Sequence, residues 1–331
     1  MMAKPKVSII MATYNRANFI AETLVAIQRQ TFADWECLII DDGGTDNTKE
    51  VIAPILEMDS RFKFYSRPGN YQKGPSGCRN YGLHLAKGIF ISFFDDDDIP
   101  HPQNLEICID ELTNNKNIYF CRYERNVFFE DFHYNFDLSK TYTQFPIVKK
   151  DVLKMLTNEL QIITTSVMWK KECFKENHFA SNIFYGEEWE LYARIVSAGF
   201  NGITISKVLF YARKHTDSLT GEYLNNNSLH RSSYADAMEL AVKNLQKKNL
   251  LNYFITRYFI VVSYNFGEYN LFNRIIKALK LSFLKEIQWR IFYFSLKIRL
   301  PINRLRAKRK RKKLTKKYKL QDEISSNSSR P

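Results

Sequence analysis

The sequence predicts an α/β fold: a mixed, mostly parallel sheet flanked by helices on both faces, followed by a helical C-terminal extension. Three observations carry this. Short β-rich apolar runs alternate with helical patterns over the first hundred residues, carboxylates gather where those runs end, and beyond about residue 225 the pattern turns helical and then basic.

Val7 to Met11 reads as a buried strand, and a helix from about Asn18 to Gln30 follows with Ile20, Leu24 and Ile27 on one face. Cys37 to Ile40 is a second strand that ends in the turn Asp41-Asp42-Gly43-Gly44. A helix from about Asp46, a strand at Phe62 to Tyr65, a helix around Gly77 to Ala86 and a strand at Ile89 to Phe94 complete the alternation. From about Ile118 the pattern is less regular, with an aromatic stretch from Tyr119 to Phe136 and a strand-like Thr164 to Trp169. Glu187 to Ala198 reads as an amphipathic helix, followed by a strand pair at Gly202 to Ile205 and Val208 to Arg213. The first domain is placed at residues 1–224, with Asn225 to Ser228 as a linker. Residues 225–300 are expected to be helical (Leu229 to Lys248, Leu250 to Phe266 and Leu271 to Leu300), and 301–331 to be a polybasic, disordered tail.

At 331 residues, 45% hydrophobic and 15% aromatic, the chain has enough apolar surface for a packed core. Its formal charge of +14 is concentrated at the C-terminus, since no acidic residue lies between Glu286 and Asp322 while Arg304 to Lys319 is crowded with lysine and arginine. The five cysteines show no CxxC or Cys/His ligand spacing, which predicts reduced thiols and excludes a zinc framework. Neither an apolar leader after Met1 nor a run of transmembrane length is visible, so a cytoplasmic protein is expected.

In open α/β sheets ligands bind beyond the carboxyl ends of the strands. Here those ends carry Ala12-Thr13-Tyr14-Asn15, Asp41-Asp42 and Asp95-Asp96-Asp97-Asp98, enough to line one nucleotide-sized crevice. Four adjacent aspartates raise one another's pKa and call for a compensating charge. A hard divalent cation, Mn2+ or Mg2+, completed by phosphate oxygens and water supplies it, and a solvated acidic turn or helix N-cap before Pro100 and Pro102 reads equally well. The glycines of Asp41-Asp42-Gly43-Gly44 permit positive φ, and an aspartate there can accept hydrogen bonds from a base or ribose.

The ordered set Val7 to Arg16, Gln30-Thr31-Phe32, Ile39 to Thr48, Gly77 to Gly88 and the aspartate run, with Gly186-Glu187-Glu188-Trp189 further on, resembles family 2 glycosyltransferases of the GT-A fold. That resemblance implies an inverting transfer of a sugar from a nucleotide donor, most often a UDP-sugar, to an acceptor hydroxyl. It implies that Thr13 and Tyr14 line the base site with Tyr14 stacking, that Asp42 accepts the base N–H, and that Arg79 lies near the base or diphosphate. Asp95 would contact ribose, Asp97 would ligate the metal in an Asp95-x-Asp97 register, and Asp96 would belong to the same nucleotide-sugar loop. Glu188 would be the base, a glutamate where an aspartate is commoner, and His215 would reach the metal or diphosphate. Arg213 and Lys214 are further phosphate candidates. Tyr123, Trp169, Tyr185 and Trp189 are expected to shape the sugar pocket.

A nucleotidyltransferase or dehydrogenase would show a glycine-rich phosphate loop after strand one, and Thr13-Tyr14-Asn15-Arg16 is not one. A degenerate, non-catalytic membrane scaffold is a rival that the acids at 42, 97 and 188 disfavour. The resemblance implies a saccharide or lipid-linked saccharide acceptor in bacterial cell-surface polysaccharide or lipopolysaccharide synthesis. Apolar residues interleaved with cations from Leu271 to Leu300, continuing into the basic tail, predict peripheral binding to an anionic membrane at its inner face. A nucleic-acid partner is not expected, because no accompanying fold signal is present.

Overall fold

A computed structural model describes residues 4–133, 135–214 and 228–302. Its sheet runs β3-β2-β1-β4-β8-β6-β9-β5, with β7 pairing β9. The strands are β1 (Val7–Thr13), β2 (Trp35–Asp41), β3 (Phe62–Ser66), β4 (Phe90–Asp95), β5 (Ile99–Pro100), β6 (Phe120–Phe129), β7 (Gln144–Ile147), β8 (Val167–Lys170) and β9 (Gly202–Lys214). Strands β1 to β4 pair in parallel, β8 runs antiparallel to both β4 and β6, and β9 runs parallel to β6, giving the mixed sheet that the sequence predicts.

Both faces of the parallel half are covered, which is why its strands are continuous apolar runs rather than alternating ones. Val7, Ile9, Ile10 and Met11 have no exposed surface. Helices α1 (Ile20–Gln28), α2 (Thr48–Met58), α3 (Pro75–Leu85), α4 (Asn104–Asn114), α5 (Val152–Leu156), α6 (Glu187–Ser197) and α7 (Ser228–Lys247) belong to this unit. Helix α3 lies so close to β1 that a Cβ on Gly82 would stand 2.3 Å from Ile10 Cγ2, so only glycine admits the contact.

The chain divides into two compact units, residues 1–251 and 252–331. Helix α7 is tied into the first by Asn244 Nδ2, which donates to Glu190 Oε1 at 2.6 Å, and is followed by Lys248, whose Nζ donates to the Arg194 carbonyl at 2.7 Å. The second unit contains α8 (Tyr253–Phe266), α9 (Leu271–Leu279) and α10, over residues 283–302.

Three local expectations change. The aromatic stretch after Ile118 contains the ten-residue strand β6, whose irregular burial hides the period of two. The expected strand pair at 202–213 is a single strand, β9. The expected helix from Leu271 to Leu300 is two, because Lys280 adopts a left-handed conformation at φ 47° and ends α9. All five cysteines are buried and unbridged. Among the described residues no helix is long and apolar enough to cross a membrane. The linker residues 225–227 and the basic tail from residue 303 lie outside the described residues.

Candidate active site

The register of the parallel strands brings the strand-end residues together. Thr13 of β1 pairs with Asp41 of β2, and Ala12 pairs with Asp95 of β4, so the acidic turns flank the end of β1. They open into a cavity of about 1030 Å³ that Thr13, Tyr14, Asp42, Arg79, the four aspartates and Glu188 all line. His215 falls outside the described residues.

The turn after β2 is built by its own polar groups. Asp41 accepts from the amides of Gly43 and Gly44, and Asn15 Oδ1 accepts from those of Thr45 and Asp46. Buried Asp42 accepts from Arg67 Nε at 2.5 Å and from the Gly74 amide at 2.9 Å, which fixes its carboxylate at the cavity wall. Tyr14 stands partly exposed on the rim, with Lys73 Nζ 5.4 Å from its ring centroid.

The aspartate run alternates. Asp96 and Asp98 are buried: Asp96 faces Arg16 at 3.3 Å, and Asp98 accepts from the Arg213 amide at 2.8 Å. Asp95 and Asp97 remain partly open. Burial, reinforced by the neighbouring negative charges, pushes the carboxyls of Asp95, Asp96 and Asp98 up, Asp96 to about 7 and Asp98 well above the aspartate range. Arg213 also holds the loop through Nε to the Asp97 carbonyl at 3.0 Å and through its guanidinium to Glu22 and the Glu130 carbonyl.

The start of α6 lines the same cavity. Gly186 caps it in the left-handed region at φ 83°, and a Cβ there would stand 2.6 Å from the Tyr234 ring. Helix N-termini favour acids, and each acid here has a distinct partner. Glu190 pairs with Arg194 at 3.0 Å and is fully buried. Glu187 pairs with Arg79 at 3.0 Å, and Arg79 reaches Asp95 at 3.4 Å, so one guanidinium links α6 to the end of β4. Burial alone would lower the Arg79 pKa, but Asp95 and Glu187 hold it raised and charged. Glu188 Oε2 accepts from the Thr164 amide at 2.7 Å and from the Thr164 hydroxyl. Burial, reinforced by the charge of Glu187, pushes the Glu188 carboxyl up despite those hydrogen bonds.

Beside Glu188 the cavity becomes aromatic, with Tyr185, Trp189 and Tyr234 on it. Trp189 lies 5.7 Å and Tyr185 6.1 Å from Tyr234, centroid to centroid. Tyr123 and Trp169, expected in the sugar pocket, are fully buried in the core, where Trp169 packs against Phe120 at 4.7 Å. Sequence reasoning missed Arg67, Thr164, Arg125 and Tyr234. Each reaches the site by tertiary contact alone, and no local motif marks any of them.

With four aspartates on one side, two partly open, the donor set is hard oxygen in a place where buried negative charge lacks full compensation. These residues fit a divalent cation. Among the described residues no group of three or more His, Cys, Asp or Glu is gathered to hold a metal ion.

A family model described as "Glycosyl transferase family 2" matches residues 8–188, more than half of the chain. An Escherichia coli UDP-Glc:alpha-D-GlcNAc-diphosphoundecaprenol beta-1,3-glucosyltransferase is 41% identical over 120 residues, 36% of this chain and 46% of the relative. A Campylobacter jejuni GalNAc(5)-diNAcBac-PP-undecaprenol beta-1,3-glucosyltransferase is 40% identical over 94 residues, 28% of this chain and 30% of the relative. The chain thus spans less than half the length of either curated relative. Among solved structures, S. aureus TarS in complex with UDP-GlcNAc shares the fold at a TM-score of 0.62 and 18% identity, covering 83% of this chain and 79% of that one. A mannosyltransferase from Pyrobaculum calidifontis in complex with GDP-Man and Mn2+ does so at 0.54 and 15%, covering 89% and 81%.

Proposed function

This chain belongs to glycosyl transferase family 2, and we propose that it transfers a sugar, with inversion, from a nucleotide-sugar to an acceptor hydroxyl. The observation that carries this is one cavity lined both by the acidic ends of β2 and β4 and by Glu188, at the start of α6.

The donor is a UDP-sugar in this reading. Tyr14 stacks on the base and Asp42, oriented by Arg67 and Gly74, keeps lone pairs with which to accept the base N–H. Arg79 lies at the base or diphosphate and holds Asp95 and Glu187 in place. Asp95 and Asp97 are the open members of the run and form the DxD pair, while Asp96 orders the loop through Arg16. Asp97, with the remaining positions filled by diphosphate and water, would hold Mn2+ or Mg2+, which when bound neutralises charge on the departing nucleoside diphosphate. His215 is a second candidate ligand from the sequence.

Glu188 acts as base. As the acceptor oxygen bonds to the anomeric carbon, its proton passes to Glu188, and the carbon–oxygen bond to the β-phosphate breaks with its electron pair leaving on UDP. The single displacement inverts the anomeric centre. Tyr185, Trp189 and Tyr234 line the acceptor side beside Glu188. The acceptor is a saccharide or lipid-linked saccharide, a reading supported by the undecaprenol-linked substrates in the names of both relatives. We place the reaction at the inner face of an anionic membrane, in cell-surface polysaccharide or lipopolysaccharide assembly.

The test is binding and hydrolysis of UDP-, GDP- and dTDP-sugars by the purified chain with Mn2+, Mg2+ or EDTA. Metal-dependent binding of a UDP-sugar is the expected result. No binding of any donor with any metal by folded protein would return the scaffold reading.

A further inference from the structure

Helix α10 carries two apolar faces. At 100° per residue, Trp289, Phe292, Tyr293 and Leu296 share one side, which packs within the second unit. Tyr293 stacks on Phe272 at 3.7 Å and meets Tyr264 at 5.4 Å, Trp289 meets Tyr253 at 5.6 Å, and Leu296 is buried. On the other side Phe283, Leu284, Ile287, Ile291, Phe294 and Ile298 fall within an arc of about 100°, extending about 23 Å along the axis. All six are exposed, and all but Ile287 are 66% to 77% exposed.

A helix on a water-facing surface keeps one apolar stripe and turns polar groups outward. Here the outward stripe is apolar and cations follow its margins: Arg290, paired with Glu286, and Lys297 border one edge, and Arg299 lies beyond the other. Glu286, already paired with Arg290, is the last acid before Asp322. A second copy docked on this stripe would set cationic margins against cationic margins. An anionic lipid surface instead meets both features, taking the apolar stripe among its acyl chains and the margins at its headgroups.

We propose that α10 anchors the protein by lying in the plane of an anionic bilayer, with the Phe283–Ile298 stripe inserted. The apolar stripe, rather than the basic tail, makes the attachment resistant to salt. This deepens the membrane setting given above and rests on it for its purpose, which is to hold the catalytic unit where lipid-linked acceptors are, but its test needs no turnover.

The full chain is sedimented with phosphatidylcholine vesicles with and without phosphatidylglycerol, at low salt and at about 0.5 M NaCl, where attraction between exposed charges is largely screened. Wild type should bind the anionic vesicles and remain bound at high salt. Ile291→Asp/Phe294→Asp should lower the high-salt bound fraction by about tenfold or more while keeping wild-type melting and donor binding, and the milder Ile291→Ser/Phe294→Ser should fall between. Wild type released completely by salt, or an aspartate variant bound as well as wild type, would overturn the proposal. So would a lipid-free dimer that the aspartate variant converts to monomer. If wild type binds vesicles but no nucleotide-sugar, the transferase reading fails and this inference stands.

Discussion

Thr164 lowers the pKa of the proposed base against burial and the charge of Glu187, and Thr164→Val, which also removes the acceptor of the Tyr192 hydroxyl at 3.5 Å, tests that contribution. Valine keeps the shape of the side chain and the backbone amide that donates to Glu188 at 2.7 Å, but removes the hydroxyl that donates to the same oxygen. A hydrogen bond to a charged group contributes about 1.5–3 kcal/mol. At 1.36 kcal/mol per pKa unit, its loss raises the Glu188 pKa by about 1–2 units above its already raised value. The sign follows from the form the hydroxyl stabilises, which is the carboxylate, so removing it favours the acid. A base works unprotonated, and activity is lost as pH falls through its pKa. The acidic limb of kcat/KM against pH, followed by UDP release, should therefore move up by about 1–2 units, with activity well above the limb nearly unchanged. A limb that stays in place or moves down in folded Thr164→Val would refute the assignment of Glu188 as base.

Asp96 has a folded pKa of about 7, so its contribution to stability is fully present below the unfolded aspartate value and is lost as pH rises through 7. Asp96→Asn should therefore stabilise the metal-free protein at pH 8 by at most about 4 kcal/mol, less the lost Arg16 contact, read as a higher melting temperature, with the gain gone near pH 4. Gly186→Ala forces a side chain into the left-handed cap and against the Tyr234 ring, and should cost about 1–3 kcal/mol by denaturant titration and lower kcat. Tyr234→Ala should raise the acceptor KM about 5-fold, from about 1 kcal/mol of ring contact, and leave donor affinity unchanged in calorimetry.

The side of the cavity that we assign to the donor was legible as a cluster of strand ends, because its strands are buried on both faces and each ends in residues that a core would not tolerate. Asp42 and Asp95 to Asp98 stand where apolar runs stop, and parallel register then places them together. The acceptor half was less legible. Its aromatic residues look alike in sequence whether they line a cavity or fill the core, so Tyr123 and Trp169 were expected at the pocket while Tyr234, on a helix beyond the family match, was not. Arg67 and Thr164 act on carboxylates 25 and 24 residues away, which only the folded chain reveals. The break at Lys280 has neither glycine nor proline to announce it. The second apolar face of α10 was hidden because apolar residues around the whole helix blurred its single-face period.

The most direct measurement of the central claim, that separate carboxylates of one cavity divide donor binding from proton removal, is calorimetric UDP-sugar binding with Mn2+ beside single-turnover transfer, for Asp97→Ala and Glu188→Gln. Glu188→Gln should bind donor as wild type does and transfer about 10²–10⁴-fold more slowly, while Asp97→Ala should lose metal-dependent binding. Transfer by Glu188→Gln at the wild-type rate, or metal-dependent binding retained by Asp97→Ala, would contradict it.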